Sequence, residues 1–141
     1  MLQVKDFPLD HIGIAVRDLD QATERLRKLA EFTILAQEEV PSQQVIVRFL
    51  QHSGHKIELL QSTDPASTIA RFIAKRGEGI HHLAFRVKDI HREMLRLREE
   101  GLEIIQDKPI LGAMQKWIFF IHPRSMGGTL VEICQPVTQQ E

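Results

Sequence analysis

The sequence predicts an α+β protein built from two βαβββ modules, whose strands form a cupped mixed β-sheet with helices on its outer face. Three observations carry that expectation. The stretch Leu9-Asp10-His11-Ile12-Gly13-Ile14-Ala15-Val16-Arg17-Asp18-Leu19 returns, ungapped and 71 residues on, as Ile80-His81-His82-Leu83-Ala84-Phe85-Arg86-Val87-Lys88-Asp89-Ile90. Lys56-Ile57-Glu58-Leu59-Leu60-Gln61 returns 74 residues on as Leu130-Val131-Glu132-Ile133-Cys134-Gln135. In both copies, strict alternation of apolar and small or polar residues gives way to helical spacing just after the shared aspartate. A repeat of this length means one supersecondary unit used twice, and it outranks any single-residue signal.

The totals bound what such a chain can be. Its 141 residues suit one domain (1–141) holding a first module over 8–61, a helical linker over 62–79 and a second module over 80–136. A hydrophobic fraction of 43%, a charged fraction of 26% and a formal net charge of −1 give no reason to invoke nucleic acid or an anionic membrane surface. No apolar run approaches the roughly 20 residues that span a bilayer. Met1 to Pro8 lacks the apolar core of a secretory signal, and a single cysteine cannot form an internal disulfide; both suit the cytoplasm.

Taken in order, Leu9 to Val16 is a strand with Ile12, Ile14 and Val16 on one face. His11, Gly13 and Ala15 share the other face, which leaves room beside the imidazole. Asp18 or Asp20 caps a helix carrying Ala22, Leu26 and Leu29. Phe32 to Val40 and Gln44 to Gln51 are strands, the second turning through His52-Ser53-Gly54-His55 into Lys56 to Gln61. Ile69, Phe72 and Ile73 mark a helix in the linker, a segment with no counterpart in the repeat. Residues 89–100 form the second module's helix, which stops at Gly101. Glu103 to Gln106 is then expected as a strand, Pro109 to Gln115 as a loop, and Trp117 to Ile121 and Thr129 to Gln135 as strands. The tail after Pro136 is polar and expected to be mobile.

Parity places His11, Glu58, His82 and Glu132 on the face away from the helices. Two imidazoles and two carboxylates suit one divalent ion of Co, Mn, Ni, Zn or Fe. Four protein ligands would leave an octahedral ion two positions for substrate oxygens, an open and catalytic arrangement. The other histidines read as structural. His81 faces opposite to His82, His52 and His55 flank a turn, His91 starts a helix, and His122 stands at a loop mouth near any ligand. Cys134 reads as core filling.

On these residues the chain resembles the vicinal oxygen chelate (glyoxalase/bleomycin resistance) superfamily. Lys75-Arg76-Gly77-Glu78-Gly79-Ile80-His81-His82-Leu83-Ala84-Phe85, the turn Phe120-Ile121-His122-Pro123-Arg124-Ser125, and Leu130-Val131-Glu132 resemble the methylmalonyl-CoA epimerase branch. The resemblance runs from about Leu9 to Pro136. It implies a divalent metal on His11, Glu58, His82 and Glu132, with Gln often standing where this chain has Glu58. It further implies 1,1-proton transfer on a CoA thioester through a metal-stabilised enolate, and a homodimer. The branch has a basic glutamate in the segment Glu39-Val40-Pro41-Ser42-Gln43-Gln44-Val45, at a position this chain fills with Ser42. Glu132 is the remaining base, with Glu38 and Glu39 as exposed substitutes. Two other functions fit the same fold. One is a glyoxalase I-like lyase acting on a glutathione adduct (a lactoylglutathione lyase), whose usual ligand set Glu58 matches better. The other is a resistance protein that sequesters a small molecule without chemistry.

Overall fold

A computed structural model of the chain describes residues 6–137. The chain divides into two compact units: His11–His82, and a second that joins the chain up to Asp10 with the chain from Leu83 onward. The N-terminal and C-terminal expectations fall largely outside the described residues. No helix among those described is long and apolar enough to cross a membrane.

The unit His11–His82 contains β1 (Leu9–Ala15) from His11 on, α1 (Leu19–Leu29), β2 (Thr33–Val40), β3 (Val45–His52), β4 (His55–Ser62) and α2 (Thr68–Arg76). Its strands lie in the order β2-β3-β4-β1, with β1 parallel to β4 and the rest antiparallel. The β3–β4 hairpin turns on Ser53 and Gly54, both at positive φ (50° and 78°), the requirement of a two-residue primed turn. Asp18 begins α1 by accepting a hydrogen bond from the Gln21 amide at 2.9 Å. The apolar stripe of α1, Leu19, Ala22 and Leu26, then packs on Val16, Leu50 and Leu59, with Ile14, Ile46 and Ile57 around them. One sheet face is thereby closed by α1, and the alternate residues point the other way.

The second unit holds the body of β5 (Gly79–Arg86), α3 (Ile90–Glu99), β6 (Ile110–Gly112), β7 (Lys116–Ile121) and β8 (Val131–Pro136), in the strand order β5-β8-β7-β6. The plan is the same. Asp89 caps α3, and Ile90, Met94 and Leu97 pack on Phe119, Ile121, Val131 and Ile133. Gly101, at φ 89°, follows the helix end as expected. The α+β class and the repeated βαβββ order therefore stand.

One element lies elsewhere than expected. Glu103 to Gln106 forms only an isolated bridge, Ile104 to Ile121, and the strand before β7 is Ile110–Gly112, inside the segment expected as loop. The cause is side-chain competition for the ladder. The Phe120 amide donates to Oε1 of Gln106 at 2.7 Å, while Arg98 donates to the carbonyls of Gln106 and Asp107. Pairing resumes only past Pro109, at Ile110 opposite Ile118.

Candidate metal centre

Three of the four expected ligands meet inside the unit His11–His82. The parallel register sets Gly13 beside Glu58 on β4, so Glu58 comes up diagonally to His11. Phe49 lies opposite Glu58 on β3 and takes the edge of the His11 ring at a centroid distance of 5.4 Å. His82 enters over Gly13, where any side chain would collide with its ring. The small residues beside His11 thus leave room for the second imidazole, as the alternation suggested.

The donor atoms converge. Nε2 of His11 lies 3.3 Å from Nε2 of His82 and 3.3 Å from Oε1 of Glu58, and Nε2 of His82 lies 3.2 Å from the same oxygen. All three residues are buried. Around an ion with bonds of ~2.0–2.1 Å, neighbouring donors stand about 3.0 Å apart in an octahedron and about 3.3 Å apart in a tetrahedron. The triangle already has the edge lengths of a coordination polyhedron, so the residues fit a divalent ion. Burial by itself would raise the Glu58 pKa. Hydrogen bonds to His11 and His82, together with the charge of both imidazoles, outweigh it and hold the carboxyl at about 2. Glu58 is thus a carboxylate, ready to ligate.

Glu132, the fourth expected ligand, belongs to the other unit. It sits on β8 between Ala84 of β5 and Phe120 of β7, and it is buried. Near the β8 end, the Lys116 ammonium donates to Asp10 at 2.8 Å, and Arg86 stands 3.6 Å from the other oxygen of the same carboxylate. Burial disfavours the Lys116 charge, but the bond and the charge of Asp10 more than offset it, and the pKa is raised. Cys134 is fully buried with its thiol pKa pushed up, first by burial and then by Asp10 and Glu132, which makes it an inert core residue.

The remaining candidates separate clearly. Ser42 is exposed in a 3₁₀ turn, Pro41–Gln43, and β3 presents Val45, Val47, Phe49 and Gln51, none of them an acid, on the triad's face. Glu39 is exposed, as expected, but Glu38 is half-buried and pairs with Val47 across β2–β3, which puts it on the triad's face. Residue alternation alone could not show this, because β2 carries an irregularity between Ile34 and Ala36 that resets its parity. His52 stacks on Phe32, and His122 accepts from the Arg124 amide in its own turn. His81 is not independent of His82: Nδ1 of one lies 2.9 Å from Nδ1 of the other.

A family model described as "Glyoxalase/Bleomycin resistance protein/Dioxygenase superfamily" matches residues 10–120. The chain belongs to that superfamily. It is 36% identical over 132 residues to the uncharacterized protein YqjC of Bacillus subtilis (strain 168), covering 94% of each chain. It is also 36% identical over 129 residues to an ethylmalonyl-CoA/methylmalonyl-CoA epimerase of Cereibacter sphaeroides, covering 90% of this chain and 96% of that one. The crystal structure of methylmalonyl-CoA epimerase from Mycobacterium tuberculosis superposes with a TM-score of 0.89 at 36% identity, over 97% of this chain and 93% of that one. Within the superfamily, then, the chain resembles the methylmalonyl-CoA epimerases, which are isomerases.

Proposed function

We propose that the protein is a metal-dependent epimerase of a CoA thioester, methylmalonyl-CoA first among them, acting by 1,1-proton transfer. The observation that carries this reading is the convergence of His11, Glu58 and His82 on one point, in a chain whose characterised relatives are such epimerases. His11, Glu58, His82 and Glu132 would hold the ion. When bound, a divalent ion supplies Lewis acidity that stabilises negative charge on the thioester oxygen as the C2 proton leaves. We assign Glu132 as the base on one side of the substrate carbon. For the opposite side we assign Glu38, the one acid besides Glu58 on the triad's face among the described strand residues of its unit. Inversion needs this pair: one carboxylate removes the proton from C2, and the other, protonated, returns one to the far face of the planar intermediate. Val45, Val47 and Phe49 make an apolar wall that keeps water from competing. The free, buried Cys134 accords with work in the reducing cytoplasm. Exposed Ile110, Leu111 and Trp117 offer an apolar surface for the homodimer we expect.

The test is solvent exchange followed by NMR. Deuterium should wash into C2 of methylmalonyl-CoA and stop when chelator is added; no exchange on any CoA thioester rejects the proposal. A second reading, a glyoxalase I-like lyase, draws on Glu58, a carboxylate where the epimerase branch often has Gln. Turnover of methylglyoxal with glutathione, without exchange on CoA thioesters, would favour it.

A further inference from the structure

His82 turns Nε2 to the triad, so a neutral His82 with its Nε2 lone pair free must carry its proton on Nδ1. That nitrogen is not left to solvent: it stands 2.9 Å from Nδ1 of His81. Successive residues of a strand normally point to opposite faces. Here the His81 ring comes back against its neighbour edge-on, with centroids 5.2 Å apart and planes at 87°. It is held from behind by α2, the linker helix absent from the repeat. Phe72 meets the His81 ring at 5.0 Å, and the Arg76 guanidinium lies over Phe72 at 5.6 Å.

We propose that His81 is a positioning residue, whose Nδ1 accepts the Nδ1–H of His82 and so fixes the tautomer and rotation that aim His82 Nε2 at the shared cation. This rests on the metal-holding reading above. The chemistry is that of any ligating imidazole: the nitrogen not on the metal donates to an acceptor, which orients the ring and raises its basicity. In this chain the acceptor is another imidazole. The linker helix then gains a purpose, because Phe72 is what keeps His81 turned toward His82.

The experiment uses the full chain, Co²⁺ as the probe, and the variants His81→Phe, His81→Asn and His82→Ala. His81→Phe keeps a ring for Phe72 to pack on but offers no acceptor. His81→Asn places an amide oxygen near the position of the lost Nδ1. Two readouts are taken: Co²⁺ affinity by calorimetry, and the coordinating nitrogen and remaining ring proton of His82 from long-range ¹⁵N–¹H spectra of the protein loaded with diamagnetic Zn²⁺. The loaded protein is used because, without an ion, His82 Nε2 faces the Glu58 carboxylate at 3.2 Å and keeps its proton. Wild type should show the proton on His82 Nδ1. His81→Phe should lose that preference and bind Co²⁺ about 10- to 100-fold more weakly, as removal of such outer partners typically does. His81→Asn should recover the tautomer and most of the affinity. His82→Ala should bind no Co²⁺. A wild-type protein that takes up no Co²⁺ sinks the metal reading and the role of His81 with it. A wild type that binds, with His81→Phe unchanged in both readouts, sinks the role of His81 alone. So does a His81→Asn as impaired as His81→Phe with the His82 tautomer intact, which would mark a packing effect.

Discussion

A methyl group on Gly13 would collide with Cε1 of His82 and stand 2.6 Å from its Nε2. The absence of a side chain at one residue of β1 is therefore what admits the second imidazole to the triad. Gly13→Ala should force the His82 ring off its position without unfolding the chain, since overpacking of this size costs roughly 1–3 kcal/mol. Co²⁺ affinity should fall at least about tenfold, a shift of about 1.4 kcal/mol. Calorimetry alongside urea denaturation checks it, and unchanged Co²⁺ binding would show that the ring position is not what the ion requires.

The four buried donors make a prediction about metal content. His82→Ala or Glu132→Ala should yield protein without a stoichiometric ion by elemental analysis, while His52→Ala, remote on its hairpin, should keep it. Glu58→Gln should retain the ion more weakly, because the amide oxygen still ligates but the charge is gone. If Glu132→Ala purifies with full metal, the second unit contributes no ligand and the set is the triad alone.

Much of this was legible in the sequence, and the reason is the duplication. Matching His11 with His82 and Glu58 with Glu132 gave both strand type and facing, since period-2 alternation assigns a whole strand's faces at once. What escaped was whatever alternation does not govern. Glu38 was hidden by the irregularity in β2 between Ile34 and Ala36. His81 was hidden because a long side chain can swing back to meet its neighbour. The β6 strand was missed because Gln106, through its side chain, takes the Phe120 amide that a continuous ladder would have used.

Glu38 carries its own prediction. On the proposed assignment of Glu38 to the second side of the substrate, Glu38→Gln should slow epimerisation by about 10²-fold or more, the usual scale of general acid–base catalysis. Co²⁺ affinity should not change, because Glu38 is no ligand. Ser42→Ala should leave the rate as it is. A Glu38→Gln protein with wild-type turnover would remove Glu38 from the reaction and leave the far face to another group.

The pair Lys116 and Asp10 bears on stability. The Asp10 side chain is almost wholly buried and Lys116 nearly so. Breaking a buried pair by removing one partner costs about 3–5 kcal/mol, because the other charge is left in a poor solvent. The nearby Arg86 should soften that for Asp10, so Lys116→Met is expected toward the lower end of the range. The double variant Asp10→Asn with Lys116→Met should recover a substantial part. Urea denaturation of the single and double variants measures the coupling, and a strictly additive double variant would mean the pair does not interact in solution.

The pH dependence of the metal-free protein should have two limbs. Burial, and then the positive charge of His82 and of Arg76, hold the His81 pKa at about 4, below its ordinary 6.5. The unfolded chain therefore binds more protons than the folded one between those values, and stability rises with pH through that window. On acidification from pH 7 the His81 contribution starts to fall near 6.5 and is gone below about 4. Glu58, held at about 2 against an ordinary 4.5, acts in the same direction but in a lower window, between about 4.5 and 2. Replacing His81 by Asn should flatten only the upper limb, by on the order of 2–3 kcal/mol after allowance for the ring's residual exposure. Unfolding free energies from urea titrations at pH 7 and pH 4.5, in chelator, decide the point. An equal loss of stability in wild type and His81→Asn would assign the upper limb to other groups.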